Sequence, residues 1–239
     1  MKKLAIITGA SSGIGREIAK KLSNNGHPVL LLSRRLDKME ELNLPNSLCK
    51  SVDVTNIEKM KEAIKEAEEK FGKVDCLVNC AGIMLLGEPN TQSYEEWSNM
   101  IDVNIKGILT GTNIVLNDMV SRNEGTIINI SSIAGRKTFD NHSVYCGTKF
   151  AVHAITENMR KEVASSNVRV ITIAPGVVET PLLSHTTDVN IKDNYNEWKK
   201  TIEVGLNPEK IASCVEFAYN QPQDVCIREI VIAKTKQED

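Results

Sequence analysis

The chain has 239 residues, with 29 Lys or Arg against 31 Asp or Glu and a formal net charge of −2. So even a balance excludes the basic footprint that nucleic acid or an anionic lipid surface requires, which leaves small molecules as the expected partners. With 41% hydrophobic residues and no long uncharged apolar run, the composition excludes a disordered chain and gives no candidate membrane span.

In chain order, residues 4–8 form a short β-branched apolar run that stops at Gly9, too soon for the apolar core of a signal peptide. A helical pattern over 13–25 leads to strand-like runs at 28–33 and 48–52. A helix over 57–71 follows, and its charge run is the solvated face of an amphipathic helix. Then come a strand at 74–79, one long helix over 94–123, a strand at 126–131, a helix over 143–166 and a strand at 168–174. A helix over 208–220 and a strand at 227–232 close the chain. Strand candidates this uniformly apolar suit burial on both faces, and parallel neighbours need crossover connections. The alternation therefore predicts one α/β domain over 1–239, a doubly wound parallel sheet of about seven strands with helices on both faces. The stretch 176–207 is long for a connection, so 177–207 is expected to be a lid over the substrate. Cys49, Cys76, Cys80, Cys146, Cys214 and Cys226 are scattered, with no metal-ligand spacing, which predicts a reduced cytoplasmic setting and no metal.

Three groups of residues carry chemistry. Thr8-Gly9-Ala10-Ser11-Ser12-Gly13-Ile14-Gly15 lies between a strand and a helix, where glycines let a pyrophosphate approach the positive end of a helix. Ser33-Arg34-Arg35 ends the second strand without an acid before Asp37, and cations there suit a 2′-phosphate better than a free 2′-hydroxyl. Tyr145 and Lys149 are four residues apart and so share one helix face, thirteen residues beyond Ser132. A free tyrosine titrates near 10, so work near neutrality requires lowering that value by roughly three, about 4 kcal/mol. A neighbouring ammonium supplies part of that.

Together these features resemble the short-chain dehydrogenase/reductase family over almost the whole chain. The resemblance implies a Rossmann-like fold and an NADP(H)-dependent oxidoreductase moving a hydride between the nicotinamide and a hydroxyl or carbonyl substrate. It implies a catalytic set in which Ser132 bonds the substrate oxygen and Tyr145 moves the proton. Lys149 binds the nicotinamide ribose and favours tyrosinate, and Asn104 supports a water beside Lys149. The cofactor would lie on Gly9, Ser11, Ser12, Gly13, Ile14 and Gly15, with its 2′-phosphate at Ser33, Arg34 and Arg35. Asp53 and Val54 would meet the adenine, followed by Asn79, Ala81 and Gly82, with Pro175, Gly176, Val178 and Thr180 at the nicotinamide end. Cys80 stands where the family has a second asparagine.

Substrate identity is less marked. The lid offers Leu182, Leu183, His185, Tyr195 and Trp198 beside Lys192, Lys199 and Lys200, a mixture that selects no ligand. The C-terminal stretch is loosely similar to bacterial 3-hydroxy acid and serine dehydrogenases of the family, which implies a small 3-hydroxy acid. A broad carbonyl reductase of apolar ketones and a non-catalytic NADPH-binding sensor or scaffold are the alternatives. Cys146, His142 and His153 read as ordinary packing, helix and loop residues. The family's helix pairing implies a homodimer or homotetramer through the helices at 94–123 and 143–166.

Overall fold

A computed structural model describes residues 2–238. Strands β1 (Leu4–Thr8), β2 (Val29–Ser33), β3 (Ser47–Ser51), β4 (Val74–Asn79), β5 (Gly125–Ile130), β6 (Val168–Pro175) and β7 (Glu229–Ile232) form one parallel sheet. Their order is β3-β2-β1-β4-β5-β6-β7. Successive residues of a strand face opposite sides, so Ile6 and Ile7 enter different cores. On one side Ile18 and Leu22 of α1 (Gly13–Asn24) meet Ile7 and Leu31; on the other, Met60 and Ile64 of α3 (Ile57–Phe71) meet Ile6 and Leu30. Each such side chain, fully buried, contributes about 1.5–3 kcal/mol.

The remaining helices are α2 (Leu36–Glu40), α4 (Tyr94–Ile101), α5 (Gly107–Arg122), α6 (Ser143–Glu162), α7 (Val189–Thr201) and α8 (Pro208–Tyr219). The expected helix over 94–123 is continuous in space but contains a π turn at Asp102–Lys106 between α4 and α5. The extra residue in such a turn redirects side chains, and here it carries Asn104 inward. Helix α6 stops at Glu162, short of 166, where Ser166 Oγ bonds back to the Val163 carbonyl at 2.7 Å. Strand β7 begins only at Glu229, the residue that pairs with Thr172. Helix α7 occupies part of the stretch expected to be irregular. Only Ile191 of α7 is buried, so its apolar period is weak, but Asp188 caps it by accepting from Ile191 N at 3.0 Å.

One buried cation ties α8 to the sheet. Arg169 of β6, 3% exposed, donates to Thr126 Oγ1 and to the carbonyls of Ala218, Tyr219 and Gln221, at the C-terminal end of α8 where the helix dipole favours positive charge. No helix among the described residues is long and apolar enough to cross a membrane.

Candidate active site

Strand order reverses between β1 and β4, and the chain leaves both strands at the same edge, opening a crevice there. Thr8 Oγ1 draws the two exits together by accepting from Cys80 N and Ala81 N, both at 3.0 Å. The glycine turn is narrow by necessity. Gly9 has φ +69°, and a Cβ on it would sit 2.9 Å from Ala81 Cα; Gly13 has φ +54°, and its Cβ would meet Thr180 Cγ2 at 2.9 Å. These residues, with Ser11, Ser12, Ile14, Gly15, Ala81 and Gly82, line a cleft of about 300 Å³.

At one end of this cleft stand Ser33, Arg34 and Arg35. The Arg35 guanidinium lies across the glycine turn, donating to Ser11 Oγ at 2.9 Å and Ser12 Oγ at 2.8 Å, while Ser33 Oγ accepts from Arg35 N. Asp53 and Val54 line the same end. Asp53 Oδ1 accepts from Thr55 N at 3.0 Å and Thr55 Oγ1 at 2.7 Å. Burial raises its carboxyl, but those bonds and the charge of Arg34 outweigh burial and hold it below its usual range. His185 is also in the wall; burial, then the charges of Arg34 and Arg35, push its imidazole down, and its Nδ1 has no partner among the described residues.

Tyr145 and Lys149 reach the other end from α6, the residues being 6% exposed each. Burial pushes the Tyr145 phenol well above its ordinary 10, and the Ser132 hydroxyl draws it back in part. Lys149 approaches the phenol over its ring. Its ammonium lies 5.7 Å from the centre of the phenol ring and donates to the Ile130 carbonyl at 3.1 Å. Burial brings Lys149 itself down to about 8. Ser132 caps the short turn Ile133–Gly135 by accepting from Ala134 N, whereas Ser131 Oγ bonds to the Lys149 carbonyl and to His153 Nδ1. His153 in turn meets Glu229 Oε1 at 3.0 Å, so it braces the site and is not an incidental helix residue.

Two expected site residues do not face the crevice. Asn104, 1% exposed, stands behind Gly82: it accepts from Ile83 N, donates to the Ile83 carbonyl, both at 2.9 Å, and donates to Thr148 Oγ1 at 3.1 Å. Asn79 turns to the opposite side of the strand exit, where Nδ2 donates to Asn129 Oδ1 and Thr112 Oγ1, because successive side chains of β4 alternate and Cys80 takes the cleft-facing position.

Beyond Tyr145 the crevice opens into a second chamber of about 500 Å³, sharing Ile14, Ser131, Tyr145, Thr180 and Leu182 with the first. Ser132, Pro175, Gly176 and Val178 line it. Its roof is the segment from Pro181–His185 through α7, anchored where Val178 bridges Leu206 and Glu179 Oε2 accepts from Lys199 at 3.0 Å. The return from α7 turns through Glu203 and Val204 at φ +54° and +60°, a conformation costly for a β-branched residue. Members of this chamber that sequence reasoning missed include His142 and Gln237. His142 joins its aromatic wall, and Gln237 comes back from the far end of the chain, with Oε1 accepting from Val177 N at 3.1 Å. Phe139 and His142 spaced ahead of Tyr145 were the available signal for the first; nothing local marks the second.

A strand-turn-helix with a glycine cradle, joined to a buried Tyr-Lys pair at a topological switch point, defines a dinucleotide-dependent oxidoreductase fold. The short chain dehydrogenase family model matches residues 3–190. An uncharacterized oxidoreductase of Staphylococcus saprophyticus is 39% identical over 98% of this chain and 97% of its own, and one of Listeria monocytogenes is 37% identical over 98% and 97%. Among solved structures, the closed form of a serine dehydrogenase complexed with NADP+ superposes with a TM-score of 0.89 at 32% identity, covering 99% of this chain and 96% of that one. An alcohol dehydrogenase from the archaeon Thermococcus sibiricus, complexed with 5-hydroxy-NADP, gives 0.86 at 26% identity over 100% and 99%. The chain belongs to the short-chain dehydrogenase/reductase family and is an NAD(P)-dependent oxidoreductase.

Proposed function

We propose that the protein is an NADP(H)-dependent oxidoreductase that interconverts a hydroxyl and a carbonyl group in the chamber beside Tyr145. The observation that carries this is the conjunction of a glycine cradle too tight for any Cβ with a buried phenol, serine and ammonium in the same crevice. A bound nicotinamide dinucleotide supplies or accepts the hydride. Ser132 holds the substrate oxygen, and Tyr145 gives that oxygen a proton in reduction and takes one in oxidation. Lys149 holds the nicotinamide ribose and supplies positive charge beneath the phenol ring. Asn104 is a positioning residue: its three hydrogen bonds fix the Ile83 backbone and Thr148.

Preference for NADP(H) over NAD(H) rests on two guanidinium groups and three hydroxyls where the end of β2 meets the glycine turn, the carboxylate in that cleft wall, Asp53, being engaged by Thr55. Two substrate readings each have support. Likeness to a serine dehydrogenase favours a small 3-hydroxy acid; the largely apolar second chamber favours a ketone. A sensor without turnover has no use for a buried proton donor. Segment 177–207 acts as the lid, hinged at the strained Glu203-Val204 pair. Six free cysteines fit a reducing compartment such as the cytoplasm. Assembly as a homodimer or homotetramer is supported by Ile101, Leu109 and Phe150, exposed on α4, α5 and α6, and sedimentation of a stable active monomer would count against it.

The direct test follows NADPH and NADH absorbance against ketones and keto acids, and NADP+ reduction against alcohols and hydroxy acids. Wild type turns over, preferring the phosphorylated cofactor, and Tyr145→Phe does not; equal rates for the two proteins would end the reading.

A further inference from the structure

The chamber beyond Tyr145 is built for an uncharged guest. Resting on the oxidoreductase reading above, we infer that the substrate is a neutral carbonyl compound, or its alcohol, that carries an aromatic or bulky apolar group, and that carboxylate-bearing compounds are excluded.

Ring geometry is the first support. Phe139 and His142 have centroids 5.7 Å apart, His142 lies 6.1 Å from Tyr145 and 6.2 Å from Tyr195, and Tyr195 lies 5.4 Å from Trp198. Tilted and edge-on rings at these separations attract one another. A continuous aromatic wall therefore runs from the reacting phenol to the lid helix, and a ring attached to the substrate carbonyl extends it. Size agrees: about 500 Å³ falls within the roughly 300–1,000 Å³ of pockets that enclose drug-sized ligands, far more than a three-carbon acid occupies.

Charge is the second support. A carboxylate leaving water needs a cation or several donors waiting for it. Among the described residues Lys199 is the one Lys or Arg in the chamber wall, and its ammonium is already held by Glu179, whose other oxygen accepts from Gly205 N at 2.6 Å. Asp140 adds a further negative charge at the rim. Burial pushes the His142 imidazole down and the Tyr195 phenol up to about 12, so both are uncharged near neutrality. What remains for recognition is neutral: the amides of Asn141, Asn194 and Gln237, the last with an Nε2 that has no partner among the described residues.

Acetophenone and 4-acetylbenzoate present the same ketone on the same ring and differ by a para carboxylate, which makes them the discriminating pair, with neutral 4-acetylbenzamide, used as well as acetophenone, as the control for the added bulk. With NADPH in excess, kcat/KM for acetophenone exceeds that for 4-acetylbenzoate by at least about tenfold. Trp198→Ala raises KM for acetophenone by about tenfold while leaving KM for butanone and the Kd of NADPH unchanged, and Trp198→Phe recovers most of the loss. Glu179→Gln keeps an oxygen for Gly205 N, frees Lys199 and narrows the gap between the twins. Equal or better use of 4-acetylbenzoate or acetoacetate overturns the inference, as does a Trp198→Ala defect that is the same for butanone. Calorimetric titration of the twins into the protein–NADP+ complex separates this failure from that of the underlying reading. If acetophenone alone binds and neither is turned over, the chamber assignment stands and the catalytic one falls; if both bind alike or neither binds, the chamber assignment falls.

Discussion

Lys149 should be a liability to the fold, and replacing it with methionine measures how large a one. Its ammonium is buried with one hydrogen bond, to the Ile130 carbonyl, and burial lowers it from 10.5 to about 8. A difference of 2.5 at 1.36 kcal/mol per unit is about 3 kcal/mol by which the folded state disfavours the charged lysine. The sign follows from proton binding. Between about 8 and 10.5 the unfolded chain holds the proton that the folded chain has released, so stability from this group rises with pH through that window. The full penalty applies below about 8 and vanishes above 10.5. Methionine fills similar space without the charge but leaves the Ile130 carbonyl without this donor, a loss of about 1 kcal/mol. Cofactor-free Lys149→Met is thus more stable than wild type by about 2 kcal/mol at pH 7, and less stable by about 1 kcal/mol near pH 10.5. Urea unfolding followed by circular dichroism at the two pH values, with a reductant for the free thiols, reads both numbers. A variant less stable at pH 7, or a difference that does not change with pH, would refute the reasoning.

Other outcomes follow from the same geometry. Alanine at Arg34 and Arg35 together removes charge-assisted bonds worth about 1.5–3 kcal/mol each, so the ratio of NADPH to NADH affinity falls by at least about tenfold in parallel fluorescence titrations. Asn104→Leu leaves the Ile83 amide and carbonyl without their partner in a half-buried loop; it lowers Tm by an amount equivalent to about 2–4 kcal/mol and reduces kcat more than the KM for NADPH. Arg169→Met deprives the end of α8 of a cation that three carbonyls share, costing about 3 kcal/mol in denaturant unfolding while KM for substrate and cofactor stays put.

How far the sequence can be read depends on where the determining force lies. The sheet was legible because its inner strands β1, β2, β4, β5 and β6 are buried on both faces, and the glycine turn because Gly9 and Gly13 occupy conformations that other residues resist. Tyr145 and Lys149 were legible as a pair through helical spacing, yet their electrostatics were not: the distance from ammonium to ring and the degree of burial are tertiary facts. The π turn at Asp102–Lys106 was hidden because its residues look helical and only the packing of Asn104 against the loop at Ile83 distinguishes it. Asn79 was assigned to the crevice by motif, whereas the alternation of β4 turns it away. Helix α7 escaped because one buried residue gives no period, and Gln237 because contacts across some sixty positions, as with Val177, leave no local trace.

In the proposed reaction Tyr145 delivers a proton to the substrate oxygen, and a dinucleotide held on the glycine cradle would supply the hydride. Reduction of acetophenone with NADPH deuterated at C4 in the transferable position, analysed by mass spectrometry, tests it most directly. Wild type gives 1-phenylethanol carrying one deuterium at the carbinol carbon, and Tyr145→Phe forms none. Unlabelled alcohol from wild type, or labelled alcohol formed equally fast by Tyr145→Phe, would contradict that reaction.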